Sequence, residues 1–289
     1  MSSPRKILLQ LDSDPHASVF DRVVAIDSGV DELFSCGNVT LDQVQGLVHG
    51  AIFTRGPKDL RNTAIFVGGS DVARGEAMLQ RVVKSFLGPL RCSVMLDANG
   101  ANTTAAAAVL RAARHVELSQ TTALVLGGTG PVGQRVARLL ARQGATVRLG
   151  SRSVEKAAPI TAHINQTVGG HLVAAVATGG DAELAGAIAG CQVVIAAGAA
   201  GARLLPASVR RGAVALKVAI DLNAVPPLGI EGVEVMDKEK LVDGVIAYGA
   251  IGVGGTKMKI HKAAVAALFE SNDQVLDAEA IYEIGRKLP

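Results

Sequence analysis

Three glycines stand at the spacing G-x-G-x-x-G, at Gly128, Gly130 and Gly133. A short apolar run, residues 121–126, precedes them, and apolar residues recur at helical spacing until Gly144. In a strand-turn-helix unit the first glycine allows a tight turn, the second lets a pyrophosphate approach the backbone, and the third lets the helix pack on the strand. The pattern predicts a dinucleotide site rather than a glycine-rich turn without ligand. The predicted contacts are Gly128, Thr129, Gly130, Pro131, Val132 and Gly133.

The end of the next predicted strand, residues 146–149, indicates which dinucleotide binds. An NAD site usually has an acidic residue about 20 residues after the glycines, where it bonds the ribose 2′-OH. Here the segment carries Ser151, Arg152 and Ser153, and Lys156 follows one turn further on. A guanidinium with flanking hydroxyls suits a 2′-phosphate better than a bare ribose. The sequence therefore predicts NADP; the alternative is that Arg152 is a solvated loop charge.

Other predicted strands also end in small or polar residues. Ala197 and Gly198 follow one strand, Asn223 follows another, and residues 249–252 read Gly-Ala-Ile-Gly. Ligands of doubly wound sheets bind outside the carboxyl ends of the strands. We therefore predict that the small residues let a nicotinamide ribose lie against the backbone and that Asn223 binds the carboxamide. Each of these residues alone is more typical of a turn or a helix cap.

Lys257 follows a glycine-rich segment, where a loop is predicted to lead into a helix. A Walker motif needs glycine directly before its lysine, and Thr256 stands there, which excludes a nucleoside triphosphate site of that type. The Y-x-x-x-K pair of short-chain dehydrogenases is absent, because neither tyrosine is followed four places on by lysine. Lys257 either faces a cleft and orients a substrate or is a surface lysine in a first helical turn, and the spacing leaves both readings open.

Composition excludes several classes of function. The chain has 289 residues, about half of them apolar, which is enough for two domains. A net charge of +3 without a basic run argues against nucleic-acid and membrane-surface partners. Three cysteines without a C-x-x-C pair and six histidines without a helical pair argue for a reducing compartment and against a metal. With no apolar run long enough for a signal peptide or a membrane span, we expect a cytoplasmic protein.

The order of the elements indicates an α/β fold. Short apolar strands alternate with helical patterns, which is typical of doubly wound parallel sheets. Residues 1–105 are predicted to form a small N-terminal α/β domain. Residues 106–289 are predicted to form a Rossmann-type domain, and its last helix, residues 278–287, is expected to be able to pack back on the first domain.

Longer motifs carry a family resemblance along nearly the whole chain. They are residues 18–21, 37–40, 54–56, 63–69, 96–107, 128–133, 226–230, 249–255, 257–261 and 268–271. With these stretches the chain resembles the bacterial methylene-tetrahydromethanopterin dehydrogenases of methylotrophs, the NADP-linked type that is also active on methylene-tetrahydrofolate. The strand-tip motif at residues 151–153 departs from other members but keeps the arginine, and the family contains members that accept NAD.

The resemblance implies a reaction and a set of partners. A hydride moves from the methylene bridge between two pterin nitrogens to NADP and leaves a methenyl cation. The nitrogen lone pairs drive the hydride out, so the reaction requires no metal or nucleophile. The resemblance further implies a pterin substrate bound between two domains, a homo-oligomer of three or more copies, and no opening of the methenyl ring. The implied substrate-side residues are Lys257, nearest the reacting ring, with Asp21, Asp97, Asn102 and Thr103.

Two other functions stay open at this point. Shikimate and amino-acid dehydrogenases also place a small α/β domain before an NADP-binding Rossmann domain. They need an acid–base pair at the cleft, for which Lys257 and Asp97 are the candidates. A non-catalytic NADP-binding protein would bind the reduced cofactor tightly without turnover on any pterin.

Overall fold

Short runs of aliphatic residues form the strands, because strands covered on both faces of a parallel sheet are apolar throughout. The computed structural model describes residues 4–289, so the first three residues of the predicted domain 1–105 lie outside the described residues. The chain divides into two compact units. The first unit holds the residues up to Thr103 together with Met258–Pro289, and the second holds Thr104–Lys257. A functional division of the chain at residue 105 stays a prediction.

The strands of the described residues follow in chain order. They are β1 (Ile7–Asp12), β2 (Glu32–Cys36), β3 (Thr63–Gly68), β4 (Ser93–Leu96), β5 (Thr122–Leu126), β6 (Thr146–Ser151), β7 (Val173–Ala177), β8 (Val193–Ala196), β9 (Val218–Asp221), β10 (Lys238–Val242), β11 (Val245–Tyr248) and β12 (Val275–Leu276).

The α-helices alternate with these strands. They are α1 (Val19–Asp27), α2 (Leu41–Ile52), α3 (Val72–Lys84), α4 (Ala101–Ala113), α5 (Pro131–Arg142), α6 (Val154–Val168), α7 (Asp181–Ile188), α8 (Ala207–Gly212), α9 (Ala250–Ala267) and α10 (Ala278–Arg286). Across residues 4–289, no helix combines the length and the apolar character needed to cross a bilayer.

The first unit contains a parallel sheet in the order β12-β4-β3-β1-β2. Strand β1, next to the edge of this sheet, pairs with β2 on one side and β3 on the other, and Leu9 lies opposite Phe34 and Ile65. The two-residue strand β12 extends this sheet beside β4, so the end of the chain completes the first sheet. The C-terminal segment therefore contributes a strand to the first unit.

The second unit contains a sheet in the order β10-β11-β9-β8-β5-β6-β7. Every pairing is parallel except β10 with β11, which form an antiparallel hairpin at one edge. Side chains such as Leu124, Leu126 and Val194 are buried in its core, and burying each such side chain stabilises the fold by roughly 1.5–3 kcal/mol. The predicted doubly wound α/β architecture is confirmed.

Helix starts are set by local hydrogen bonds. The side chains of Ser18, Asp71 and Asp277 each accept a backbone N–H in the first turn of α1, α3 and α10, and caps of this kind stabilise a helix by about 1 kcal/mol. Helix α5 begins differently, because its N-cap is Gly130 and has no side chain to accept a hydrogen bond. Its first N–H groups are therefore available to a ligand.

The structure corrects the predicted glycine-rich loop at residues 249–256. Helix α9 begins at Ala250, so Lys257 is the eighth residue of the helix and not a residue of its first turn. Helix formation here depends on close approach of another segment. A Cβ atom on Gly252 would collide with the carbonyl oxygen of Asp237, and Ile251 donates its N–H to Val235 O at 2.9 Å. The glycines thus let residues 235–237 lie against the first turn of the helix.

The two tyrosines of the chain allow the burial of their phenol groups to be tested. Burial raises the pKa of Tyr248 to about 12, with a further increase from the neighbouring Glu239 carboxylate, and burial also raises the pKa of Tyr282. Keeping the phenols protonated contributes to the free energy of unfolding. Because the folded pKa values exceed the unfolded value of about 10, this contribution is complete below about pH 10 and, for Tyr248, is lost as the pH rises towards 12.

A spectrophotometric titration at the tyrosinate band should show much less phenolate in the native protein at pH 10 than in the denatured chain, where about half of the phenols are ionised. Equal tyrosinate absorbance in the native and the denatured protein at pH 10, with an unchanged far-ultraviolet circular dichroism spectrum of the native protein, would contradict the burial of the phenols.

Candidate functional site

The order of strands reverses at the centre of the second sheet. β5 has β6 on one side and β8 on the other, and the connections after β5 and β8 leave the sheet at its carboxyl edge. Ligands of open α/β sheets bind at such a reversal point. Here the two connections touch, because a Cβ atom on Gly127 would collide with the backbone of Gly198. The close approach leaves bare backbone at the start of α5.

The glycines of this turn have different structural roles. Gly127, with φ of +66°, is the residue in the left-handed region, so the tight turn begins one residue before the first glycine of the predicted motif. At Gly133 a Cβ atom would lie 2.6 Å from Gly127 O, so only glycine lets α5 pack this closely on the turn. Sequence spacing alone does not indicate Gly127, because the G-x-G-x-x-G pattern starts at Gly128.

Gly130 is the residue whose side chain the protein itself does not exclude. A Cβ atom there would lie 3.4 Å from Gly127 O and 3.7 Å from Ala197 O, which are ordinary contacts. Its φ of −75° is open to any residue. Glycine at this N-cap is therefore not required by the fold, whereas it leaves a bare backbone where a phosphate can approach. The residues present fit a dinucleotide pyrophosphate at the start of α5.

The tip of β6 carries a positively charged side chain that has no partner among the described residues. Arg152 is exposed, and within residues 4–289 it forms no hydrogen bond or ion pair. Ser151 Oγ accepts the N–H of Ser153 at 3.2 Å and keeps its own proton for donation. Gly128 N donates to Gly150 O at 3.1 Å, which holds this tip beside the glycine turn. Arg152 and the Ser151 hydroxyl are thus available to an anion in the second unit.

The other predicted residues of this tip are partly engaged within the protein. Ser153 caps α6, because its Oγ accepts the N–H of Lys156 at 3.3 Å, and it donates to Glu155 Oε2 at 2.7 Å. The hydrogen bond from Ser153 lowers the pKa of Glu155, so this exposed carboxylate is charged at neutral pH. The side chain of Lys156 is exposed. Ser153 therefore positions the start of α6.

Asn223 closes a loop after β9. Its Nδ2 donates to Pro227 O at 3.1 Å, and its Oδ1 accepts the N–H of Val225 at 2.9 Å. The buried carboxylate of Asp221 holds the same loop by accepting the N–H groups of Asn223 and Ile230, and burial raises its pKa. The Asn223 amide is thus used mainly within the loop. Its predicted contact with a carboxamide stays a prediction.

In the first unit, the predicted substrate residues Asp97, Asn102 and Thr103 lie together. Asp97 Oδ1 accepts the N–H groups of Asn102 and Thr103 at 2.9 and 3.0 Å, and Asp97 Oδ2 accepts Thr103 Oγ1–H at 2.6 Å. All three side chains are at most 1% exposed. Asp97 therefore fixes the start of α4, and this cluster shapes the carboxyl edge of the first sheet.

Asp21 is more accessible and belongs to a second group of residues at the same edge. It is half-buried in the first turn of α1, and both its Oδ2 and that of Asp12 lie near the position of a Cβ atom on Gly68. His261 of α9 stacks on Phe66 with ring centroids 5.7 Å apart. Asp12 and His261 were not among the predicted residues, although Asp12 ends β1 just as Asp97 follows β4.

Lys257 lies on α9, in the second unit, and its side chain is partly buried. The same helix continues into the first unit and carries His261 there. Helix α4 likewise begins in the first unit and continues into the second. Two continuous helices thus connect the units, and Lys257 is held on one of them. Among the described residues, no group of three or more His, Cys, Asp or Glu side chains is arranged to hold a metal ion.

Two family models match different parts of the chain. Residues 19–99 match a family model described as "Methylene-tetrahydromethanopterin dehydrogenase, N-terminal". Residues 127–280 match a model described as "NAD(P)H-binding". The first match covers the residues that include Asp21 and Asp97, and the second covers the glycine turn and the tip of β6.

Two relatives from Methylorubrum extorquens align with the chain from end to end. "Bifunctional protein MdtA" is 45% identical over 286 residues, which cover 98% of this chain and 99% of the relative. "NAD(P)-dependent methylenetetrahydromethanopterin dehydrogenase" is 32% identical over 290 residues, with 97% of each chain covered.

Solved structures share the fold at low sequence identity. Shikimate 5-dehydrogenase from Listeria monocytogenes has a TM-score of 0.55 at 13% identity, covering 97% of this chain and 96% of the other. Quinate dehydrogenase from Corynebacterium glutamicum has a TM-score of 0.53 at 13% identity, covering 98% and 99%. At these identities the likeness extends to the fold alone.

The open space at Gly130 gives a test of the pyrophosphate position. Gly130→Val should fold normally but weaken NADP binding by about 1–3 kcal/mol, roughly 5- to 150-fold in Kd, because its side chain fills the space of the phosphate. Calorimetric titration measures the affinity and thermal unfolding checks the fold. Gly133→Ala is the matched contrast, since its methyl group meets the protein backbone and should lower Tm instead. An unchanged NADP affinity in Gly130→Val would contradict the assignment.

Proposed function

Because the chain belongs to the methylene-tetrahydromethanopterin dehydrogenase family, we propose that it oxidises the methylene group of a tetrahydropterin carrier to the methenyl form and reduces NADP. The substrate is methylene-tetrahydromethanopterin, methylene-tetrahydrofolate, or both. The reaction belongs to one-carbon metabolism. In it, a hydride leaves the carbon that bridges two pterin nitrogens.

The observation that carries this proposal is the bare N-cap of α5 at the strand reversal. Gly130 presents backbone without a side chain, and the connection after β8 lies against the same turn through Gly198. A helix start without a side-chain cap favours bound phosphate through its N–H groups and its dipole. We assign the pyrophosphate to residues 128–133, and the nicotinamide ribose to the backbone of Ala197 and Gly198.

The preference for NADP over NAD rests on the tip of β6. Arg152 has no partner among residues 4–289, and the Ser151 hydroxyl lies next to it. A guanidinium binds a phosphate through paired N–H donors. An acidic residue that would bond the ribose 2′-OH is missing from residues 150–153, and Glu155 is bonded to Ser153. Arg152 and Lys156 supply the positive charge for the 2′-phosphate.

The main contribution of the protein to this reaction is to position the cofactor and the pterin. NADP, when bound, supplies the hydride acceptor, and the pterin nitrogens supply the electron pairs that expel the hydride. The glycine turn fixes the cofactor against the second sheet, while the carboxyl edge of the first sheet carries Asp21 and the Asp97 cluster for the pterin. Holding two reactants in the reacting geometry accounts for a large part of the rate in such a step.

Lys257 is proposed to orient the pterin ring. A lysine on the surface of a continuous helix has a fixed Cα position, and its ammonium reaches several ångströms from the backbone. The carboxylate of Asp21 matches the N–H donors on the aminopyrimidine edge of a pterin. Asp97, Asn102 and Thr103 act indirectly in this account, since their mutual hydrogen bonds hold the start of α4.

Three further features belong to the proposal. Tetrahydrofolate use follows from the resemblance to the NADP-linked members of the family. The solvent face of α1 carries Val19, Val23 and Ile26, each more than half exposed, which supports burial of that face in a homo-oligomer of three or more copies. The cysteines Cys36, Cys92 and Cys191 are free, which supports a location in the reducing cytoplasm.

A shikimate-type dehydrogenase is the second candidate, because such enzymes share the fold. It requires Asp97 to exchange a proton with the substrate. The carboxylate of Asp97 is 1% exposed and accepts three hydrogen bonds at the start of α4. A carboxylate in that setting is a structural acceptor rather than a general base, which favours the pterin reaction.

A direct assay tests the proposed function. The purified chain is incubated with methylene-tetrahydromethanopterin or methylene-tetrahydrofolate and with NADP or NAD, and methenyl product is followed by absorbance. We expect product with NADP and at least one pterin. Tight NADPH binding without product in any combination would favour the non-catalytic protein, and turnover of shikimate or quinate would favour the second candidate.

Arg152→Ala tests the 2′-phosphate assignment. Loss of a charge-assisted contact should raise the Kd of NADP roughly 10- to 100-fold. NAD affinity should change by less than about threefold, because NAD lacks the phosphate. Isothermal titration calorimetry with NADP and with NAD measures the two changes in Kd. Arg211→Ala serves as the control, because Arg211 pairs with Asp243 at 3.2 Å. Equal weakening of both cofactors by Arg152→Ala would contradict the assignment.

Lys257→Ala tests the orienting role. Turnover should fall by roughly 100-fold through misplacement of the ring, while NADP affinity and Tm stay close to those of the parent. Lys259→Ala, at an exposed position of the same helix, should retain full turnover. Unaltered kinetics in Lys257→Ala would show that Lys257 does not orient the pterin ring.

A further inference from the structure

A cluster of ionisable side chains in the second unit lies outside all of the assigned residues. Tyr248 ends β11, and its hydroxyl lies 2.8 Å from His115 Nε2, just beyond the end of α4. The guanidinium carbon of Arg111 lies 5.6 Å from the centroid of the Tyr248 ring. Tyr248 is fully buried. We call Arg111, Arg114, His115, Glu239 and Tyr248 the Tyr248 cluster.

Arg111 is buried without an acceptor. It is 8% exposed, its Nε is shielded from solvent and has no partner, and its side chain makes no hydrogen bond or ion pair with residues 4–289. A guanidinium carries five N–H donors, and native proteins rarely bury such donors without a partner in the chain, a water molecule or an ion. The face of the Tyr248 ring satisfies the charge only in part. Arg111 therefore needs oxygen acceptors from outside the chain.

The cluster has an excess of positive charge. Arg114 lies one turn after Arg111 and is exposed, and His115 follows it. The acid that faces them is Glu239, whose Oε1 lies 3.6 Å from His115 Nε2. A hydrogen bond from Tyr248, and then the charges of Arg114, His115 and Arg111, hold the pKa of Glu239 below its usual value. The two guanidinium groups therefore carry more positive charge than the one nearby carboxylate offsets.

Glu239 is held over the cluster by an unusual backbone. It is the extra residue of an irregularity between Lys238 and Lys240 in the β10–β11 hairpin, and its φ is +55°. Residues other than glycine rarely adopt this left-handed conformation. Its side chain is 44% exposed. The carboxylate thus lies at the surface of the cluster, where a solute anion can replace it without rearrangement of the buried residues.

We propose that the Tyr248 cluster is a binding site for a phosphate-type oxyanion, held by Arg111, Arg114 and His115 and competing with the carboxylate of Glu239. Guanidinium groups pair with phosphate oxygens through parallel N–H bonds, which gives Arg111 its missing acceptors. The bound anion would fasten the end of α4 to β11, and β11 leads directly into α9, which carries Lys257. The ligand is either free inorganic phosphate or the phosphate group of a small phosphomonoester.

Thermal unfolding of the full chain in the Arg152→Ala background tests this site, because that change removes the phosphate contact assigned to the cofactor. Inorganic phosphate and glycerol 3-phosphate are compared with chloride at equal ionic strength and pH 7. Phosphate should raise Tm by roughly 2–4 °C. Glu239→Gln should lower the phosphate concentration needed for half of this effect about threefold or more, since the competing charge is removed.

Arg114→Ala and Arg111→Met should reduce or abolish the shift, and Arg211→Ala should leave it unchanged. Should Arg111→Met fail to fold, the exposed positions Arg114 and Glu239 decide the outcome. A larger effect of glycerol 3-phosphate than of phosphate identifies a phosphomonoester as the ligand. A Tm shift that is absent, or equal in the parent, Glu239→Gln and Arg114→Ala, would overturn the proposal, because it would arise at another phosphate site such as the start of α5.

Discussion

The contact between two turns at the centre of the second sheet is the constraint on which the site depends. Gly127 lies so close to the backbone of Gly198 that a Cβ atom on Gly127 would collide with it, and a Cβ atom on Gly198 would collide with Leu204. This approach follows from the reversal of strand order at β5 and β8, since both connections leave the sheet at the same edge. Backbone N–H groups at the start of α5 are therefore exposed, and an anion is the ligand that suits them.

Several polar side chains elsewhere in the chain hold backbone N–H groups in place. Asp97 holds the start of α4, Asp221 holds the loop after β9, and Ser153 holds the start of α6. Each uses its oxygen atoms to accept N–H groups that would otherwise lack a partner within the fold. Arg152, which has no partner among residues 4–289, and the half-buried Asp21 are residues that can meet a ligand. Catalysis by positioning is consistent with such a division of roles.

Periodicity correctly predicted the architecture, and the glycine spacing predicts cofactor contacts that stay a prediction. The strands β5 and β6 lie close to their predicted positions, because each contains an apolar run buried in a sheet. Strand β2 and the β10–β11 hairpin were missed, since edge strands carry polar residues such as Glu32 and Lys240. The helical course of residues 250–257 was also missed, because glycine disfavours a helix until residues 235–237 pack against it. Asn223 and Asp97 show a further limit: spacing places them at strand ends, but only the hydrogen bonds show that they are used internally.

Hydride transfer from the methylene carbon is the central claim, and isotope tracing measures it most directly. Methylene-tetrahydromethanopterin and methylene-tetrahydrofolate in which both hydrogens of the bridging carbon are deuterium are each oxidised by the purified chain with NADP in ordinary water. The account predicts one deuterium per molecule in the reduced nicotinamide ring and none taken from solvent. Reduced cofactor without deuterium, or no reduction with either pterin, would contradict it.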